Sequence, residues 1–150
     1  MKEKIYFQDG SLRDIFVLNV TKKDWDTWAK FVNKNYKVEF INYSTHVAET
    51  QINLKTISGY LNNVYCPEYF AKIFVGNILV QVYFFYSEEF ENDINPTEIK
   101  SLEDHNNLMI YLKSVSKVLN KELILTTEEI QNRKALIRIN GDEVFFNFAD

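Results

Sequence analysis

Residues 70–86 read FAKIFVGNILVQVYFFY, two apolar runs separated by the dipeptide Gly76-Asn77. This dipeptide between two strand-like runs is typical of a tight β-hairpin turn, because glycine and asparagine tolerate a positive φ. The second run is apolar on both faces, as expected for a strand at the centre of a covered sheet. We therefore expect a central hairpin here, with the rest of the fold arranged around it.

Two further hairpins are predicted near the ends of the chain. Asp9-Gly10 lies between strand-like runs within residues 4–20, and Asn140-Gly141 lies between apolar runs within residues 135–148. If Asn140 and Gly141 form a two-residue loop, Arg138 and Glu143 are cross-strand neighbours and form an ion pair. Single strands are expected at residues 36–43 and 123–126.

Two amphipathic helices are indicated by capping residues followed by apolar side chains at helical spacing. The first begins after Thr21, with Asp24 completing a capping box, and its apolar face consists of Trp25, Trp28, Ala29 and Val32. The second begins after Ser101, and its apolar stripe consists of Leu108, Leu112, Val115 and Leu119. A short helix is also expected after Asn53, although Gly59 interrupts it.

These elements predict an α+β fold with a mixed, largely antiparallel sheet, built from hairpins, and two main helices packed on one side. The order hairpin, helix, strand occurs twice, near residues 4–43 and 70–126. No residue-level repeat accompanies it. The 150 residues fit a single domain spanning residues 1–150, and no Pro, Gly or Ser linker divides them.

Composition argues against several classes of function. The net charge of −4 disfavours nucleic acid, whose phosphates require a basic surface. Cys66 is the single cysteine, so an internal disulfide is excluded. No stretch approaches the ~20 apolar residues that span a bilayer, which argues against membrane insertion. A cytoplasmic location is therefore expected.

The sequence offers no recognisable catalytic or cofactor-binding group. Its two histidines, His46 and His105, are far apart in sequence, and Cys66 lies in no nucleophile motif. One cysteine and two distant histidines do not supply the ligands of a zinc site. The four glycines are isolated, so no phosphate-binding loop is present. We expect a non-enzymatic protein without cofactor or metal.

An acidic segment is the candidate partner-binding site. Its residues are Glu88, Glu89, Phe90, Glu91 and Asp93. An aromatic anchor among charges is the arrangement expected of an interface hot spot, and the acids would attract a basic partner. The alternative is that Phe90 packs in the core and the acids are solvated. We expect this segment to be a loop, and because it lacks glycine it does not fit a calcium loop.

Two blocks of the sequence carry a family resemblance. Residues 101–105 (SLEDH), the leucine stripe that follows, and residues 121–128 (KELILTTE) resemble a block of small immunity proteins from bacterial polymorphic-toxin systems. Residues 9–15 (DGSLRDI), followed by a Trp-bearing helix, are similar to the start of several such proteins. The resemblance implies a cytoplasmic, non-enzymatic protein that neutralises a cognate protein toxin by tight binding. It carries over no binding residue.

Two other functions remain open. The apolar run Phe145-Phe146-Asn147-Phe148 could form an exposed edge strand through which a structural or adaptor domain self-associates as a homodimer. The chain could also be an enzyme or small-ligand binder with a pocket against the aromatic sheet.

Overall fold

The computed structural model describes residues 2–57, 68–84, 88–128 and 135–147. Its helices are α1 (Lys2–Ile5), α2 (Lys22–Asn35) and α3 (Leu102–Leu119), with 3-10 turns at Leu54–Thr56 and Pro96–Glu98. Its strands are β1 (Arg13–Leu18), β2 (Lys37–Asn42), β3 (Ala48–Glu49), β4 (Tyr69–Val75), β5 (Ile78–Tyr83), β6 (Glu89–Ile94), β7 (Leu123–Thr127), β8 (Ala135–Asn140) and β9 (Glu143–Phe146).

The nine described strands form one sheet in the order β3-β2-β4-β5-β6-β1-β7-β8-β9. Every described strand pair is antiparallel. The first strand of the sequence, β1, lies between β6 and β7 and is the link between the two parts of the sheet. The predicted α+β class, with helices packed against a hairpin-built sheet, is confirmed.

The β4–β5 hairpin has the predicted turn. Val75 pairs with Ile78, which leaves Gly76 and Asn77 as the two loop residues. Gly76 has a φ of +59°, and a Cβ placed on it would lie 2.9 Å from Nδ2 of Asn107 on α3. The positive φ is what favours glycine here, because the amide end of the Asn107 side chain could move away from a Cβ.

Helix α2 begins as predicted. The Thr21 hydroxyl accepts a hydrogen bond from the amide of Asp24, and the Asp24 carboxylate accepts one from the amide of Thr21. Its apolar face, including Trp25 and Trp28, is buried. Helix α3 packs beside α2 on the same side of the sheet, and its predicted stripe is buried as well. None of the helices in the described ranges is both long and apolar enough to span a membrane.

The predicted first hairpin is wrong. Residues 2–5 form the short helix α1, and Gly10 does not connect two strands although its φ is +86°. The reason lies at Arg13, whose buried guanidinium donates hydrogen bonds to the carbonyl oxygens of Ile5, Phe7 and Leu12. The segment before β1 folds around this cation instead of pairing as a strand.

The C-terminal hairpin is present, but its loop lies one residue later than predicted, which shifts the strand pairing by two residues. Asn140 pairs with Glu143, so the loop is Gly141-Asp142 rather than Asn140-Gly141. Gly141, with a φ of +64°, takes the first loop position, where a type II′ turn requires glycine. Arg138 consequently faces Phe145, and its ion pair is with Glu122 at 2.8 Å, not with Glu143.

The short helix predicted after Asn53 is a single 3-10 turn at Leu54–Thr56, for which Asn53 is the cap. Its predicted continuation through Gly59 lies outside the described residues. Cys66 also lies outside them.

Candidate interaction surface on the helix-free side of the sheet

The acidic segment forms a strand at the centre of the sheet. Residues 89–94 are β6, paired with β5 on one side and with β1 on the other. The prediction of an acidic loop is therefore wrong. Glu89, Glu91 and Asp93 alternate with buried residues along the strand, so the carboxylates lie on one side of the sheet and the apolar residues on the other.

Phe90 lies on the helix side and belongs to the core. It is 2% exposed, and its ring centroid lies 5.0 Å from that of Trp25 and 4.9 Å from that of Trp28. A ring in this position has no surface to offer a partner. The structure thus agrees with the alternative for Phe90, and its assignment as an exposed anchor is corrected.

The carboxylates lie on the opposite side, which we call the helix-free face. It is the side of the sheet that carries Asp14, Phe16 and Leu18 of β1 and Glu89, Glu91 and Asp93 of β6. Neither α2 nor α3 packs against it, because both helices lie on the side of Phe90. Four of the five predicted site residues are close to one another on or beside this face.

Leu18 supplies the apolar side chain that Phe90 cannot. It is 56% exposed at the end of β1, directly opposite Glu89 on β6. The amide of Val20 donates a hydrogen bond to the carbonyl of Glu88 at 3.1 Å, which holds the two chain segments together at this end. An exposed leucine therefore lies opposite one glutamate, Glu89, and a second glutamate, Glu88, precedes Glu89 in the chain. An apolar side chain with acidic neighbours, as expected around Phe90, thus occurs one strand away. We call Leu18, Glu88 and Glu89 the Leu18 patch.

A row of polar side chains crosses the helix-free face four residues along β1 from Leu18. Reading across the strands from β2 to β7, it consists of Glu39, Lys72, Gln81, Asp93, Asp14 and Thr126. The pKa of Asp93 is raised to about 6, mainly by burial and in addition by the carboxylates of Asp14, Glu128 and Glu91, while a hydrogen bond with Tyr83 lowers it in part. Asp93 therefore carries only part of a charge in mildly acidic solution.

Aromatic side chains occupy the β2, β4 and β5 part of the same face. The ring of Phe70 lies 4.7 Å from that of Tyr43, and Lys37 lies 5.0 Å from the centroid of Phe74. Oε1 of Gln81 lies 3.3 Å from the Tyr83 hydroxyl. The face thus combines carboxylates with aromatic and aliphatic side chains.

The histidines contribute no catalytic grouping in the described structure. The Tyr6 hydroxyl lies 2.7 Å from Nδ1 of His105, and burial lowers the pKa of this histidine. His46 is an exposed turn residue with a φ of +59°. Across the described ranges, no three His, Cys, Asp or Glu side chains are grouped closely enough to hold a metal ion.

Two clefts in the described structure lie away from the helix-free face. One, of about 290 Å³, lies between α2 and residues 52–55, where Asn33 bonds both the amide and the carbonyl of Ile52. The other, of about 350 Å³, is lined by residues of the β2–β3 turn and by Tyr69.

Asn92 is a polar residue that sequence reasoning missed. It lies in β6 between Ile15 and Val82, in a cross-strand row whose other members are apolar. It is buried, and neither its Nδ2 nor its Oδ1 has a hydrogen-bond partner among the described residues. The signal was present in the sequence, because Asn92 occupies a core position in the alternation between Phe90 and Ile94.

Comparison of the chain with protein-family models, with curated proteins and with solved structures gives no match.

Proposed function

We propose that this chain is a non-enzymatic protein-binding domain that binds a basic protein through the Leu18 patch and the adjoining carboxylates. The observation that carries the proposal is the exposure of Leu18 directly opposite Glu89, with the exposed Glu88 preceding Glu89 in the chain. An apolar side chain with a charged rim is the usual arrangement at the energetic centre of an interface. The resemblance described above favours a cognate bacterial toxin as the partner and the cytoplasm as the place of action.

The charge of the surface supports a basic partner. Glu88 and Glu89 lie at this end of β6, Glu91 follows on the same face as Glu89, and the chain as a whole has a net charge of −4. An acidic patch accelerates the encounter with a positively charged protein and orients it. Many toxins that attack nucleic acid are basic for the same electrostatic reason that nucleic-acid-binding proteins are. Covering such a toxin would block its catalytic surface.

The test is co-purification from the native cells with tagged protein, using the wild type, Leu18→Arg and a control. Leu18→Arg removes the apolar contact and adds a charge that repels a basic partner. Ile110→Arg is the matched control, since Ile110 is equally exposed on α3. We expect one basic protein to be recovered with the wild type and with the control, and to be lost with Leu18→Arg.

Two results would reject the proposal. One is a stoichiometric partner that Leu18→Arg retains as well as the wild type does, which would place the interface elsewhere. The other is an acidic partner, or none when the candidate toxin is expressed. For the toxin itself, co-expression should restore growth with the wild type and fail to do so with Leu18→Arg, while Ile110→Arg still protects.

A further inference from the structure

The β8–β9 hairpin contains a dipeptide that is chemically labile. Asn140-Gly141 is the only asparagine followed by glycine in the sequence. Asparagine is among the thermally labile residues of proteins, because the backbone nitrogen of the next residue can attack its side-chain amide. Glycine in the next position hinders this attack least, since it has no Cβ and adopts the widest range of backbone conformations. In the unfolded chain, Asn140 is therefore the asparagine that we expect to react fastest.

The folded hairpin opposes this reaction through the backbone of Asn140. Asn140 is the last residue of β8 and pairs with Glu143 of β9. The attack requires the nitrogen of Gly141 and the Cβ of Asn140 to lie on the same side of the Cα–C bond. In an antiparallel strand ψ is about +135°, which turns that nitrogen away from the side chain. The attack is therefore possible only when the end of the strand leaves its extended conformation.

Ser116 of α3 holds the attacking nitrogen. The amide of Gly141 donates a hydrogen bond to Oγ of Ser116 at 2.8 Å, and Ser116 is 1% exposed. The Ser116 hydroxyl in turn donates to the carbonyl oxygen of Lys121 at 2.7 Å, in the turn between α3 and β7. Beside this bond, Lys117 forms an exposed ion pair with Asp142 of the hairpin loop. A buried hydroxyl thus ties the loop of the hairpin to the helix.

We propose that Asn140 is a site of spontaneous deamidation and that Ser116 controls its rate, because the reaction requires the Gly141 amide to leave the serine. In the open hairpin, the nitrogen of Gly141 loses its proton and bonds to Cγ of Asn140, the Cγ–Nδ2 bond breaks, and ammonia leaves. The resulting cyclic imide adds water, and one of its ring C–N bonds breaks. The product at position 140 is aspartate or isoaspartate, according to which bond is hydrolysed.

Either product weakens the hairpin. Asn140 is directly opposed to Glu143, so an aspartate in its place puts two carboxylates in opposed positions, which destabilises a sheet. Isoaspartate carries the chain through its side-chain carbon, so it lengthens the backbone and displaces the hydrogen-bonding groups that follow. The released ammonia diffuses away, which makes the change permanent. Deamidation therefore loosens the contact between the β8–β9 hairpin and α3 as the protein ages.

The expected rates follow from how often the hairpin opens. When opening and closing are fast relative to the chemical step, the rate is proportional to the population of the open form. Loss of one hydrogen bond of typical strength changes such a population by roughly two- to tenfold. We expect Ser116→Ala to deamidate faster than the wild type by this factor. We also expect the folded wild type to react slower by about tenfold or more than the same chain unfolded in urea.

Mass spectrometry of aged protein measures these rates. The wild type, Ser116→Ala and Ser114→Ala are incubated in mildly alkaline buffer with and without urea, and the aspartate and isoaspartate at position 140 are quantified over time. Ser114→Ala is the matched control, because Ser114 is half-buried on the same helix and does not bond Gly141. Alanine favours a helix, and circular dichroism checks that both variants are folded. Asn140→Asp, which reproduces one product, should lower the midpoint of urea denaturation.

Three results would overturn the proposal. One is a native wild type that deamidates at position 140 as fast as the chain in urea. Another is a Ser116→Ala variant that is no faster than Ser114→Ala. The third is another asparagine that reacts before Asn140 in the unfolded chain. Hydrogen exchange of the Gly141 amide in the wild type measures the same opening without a substitution, and exchange as fast as in the unfolded chain would contradict the role of Ser116.

Discussion

Asp14 and Asp93 are directly opposed on the neighbouring antiparallel strands β1 and β6. Both side chains are on the helix-free face, and Asp14 is almost completely buried. Like charges in directly opposed positions destabilise a sheet, and burial increases the cost because it removes the water that would screen them. This unfavourable electrostatic free energy arises at β1, the strand that joins the two parts of the sheet.

A dependence of stability on pH follows from this pair. The pKa of Asp93 is about 6 in the folded protein, above the ~3.9 of an unfolded chain. Between these values the folded state binds more protons, so the stabilising contribution of the neutral form is complete below about pH 4 and is lost as the pH rises through 6. After a discount for solvent screening, we expect a loss of about 1–2 kcal/mol from this group.

The measurement is urea denaturation of the wild type and of Asp93→Asn between pH 4 and 8. Asparagine cannot ionise, so the variant should lose less stability over this range and should exceed the wild type at pH 8. Glu49→Gln, on the exposed edge strand β3, is the control and should follow the wild type. Parallel pH profiles for the wild type and Asp93→Asn would contradict the prediction.

Replacing Asn92 with leucine should stabilise the protein. The side chain of Asn92 is buried without a described hydrogen-bond partner, so its amide is removed from water with no described protein partner to offset the cost. Leucine has a similar volume and no polar atom. We expect a gain of about 1–3 kcal/mol in the free energy of unfolding. A loss in the same measurement would show that the amide has a partner in solution, such as an internal water.

Phe90 should be one of the most costly residues to truncate. It lies between the two tryptophans of α2 and the sheet, so Phe90→Ala leaves a cavity and should cost about 3–5 kcal/mol. The tryptophan fluorescence of the folded protein should change as well, because both indoles lose a neighbour. Ile110→Ala, at an exposed position of α3, should change stability by no more than about 0.5 kcal/mol. A cost for Phe90→Ala as small as that of the control would place the ring outside the core.

Charge reversal beside Leu18 should slow association with the proposed basic partner. Glu88→Lys combined with Glu89→Lys changes the charge by +4, and Glu91 is kept because it is half-buried in the middle of β6. We expect an association rate lower by about tenfold or more at low salt, with a smaller difference at high salt. Glu49→Lys with Glu103→Lys makes the same change in net charge at distant exposed positions. If both double variants slow association equally, net charge and not the Leu18 patch controls the rate.

The fold could be predicted where a short-range sequence signal, such as a turn or a helix cap, favours the same local structure as the packing around it. The turn at Gly76 has the positive φ that glycine favours, and the two apolar strands that it joins pair in the sheet. The capping box at Thr21 is followed by two tryptophans at helical spacing, and both are buried. The segment before β1 could not be predicted, because its structure depends on the burial of Arg13, which no short-range pattern reveals.

The candidate site was predicted in part. The alternation of charged and apolar residues from Glu89 to Ile94 has the period of a strand, but the density of acids is more typical of a loop. Once the strand is recognised, Phe90 must point to the other side of the sheet from Glu89 and Glu91. It therefore cannot be an aromatic anchor among them. Leu18 could not be identified as the replacement, because its proximity to Glu89 depends on a pairing between distant parts of the chain.

The position of β1 has a consequence for how the chain folds during translation. The ribosome releases β1 before every other described strand, yet Arg13 pairs with Ile94 and with Thr127, which are synthesised much later. The hairpin β4–β5 needs only local contacts and can form before β6 and β7 are synthesised, whereas β1 must wait for both neighbours. We expect folding to be slow and limited by the insertion of β1. Until then, the edges of β6 and β7 are exposed to other nascent chains and to chaperones.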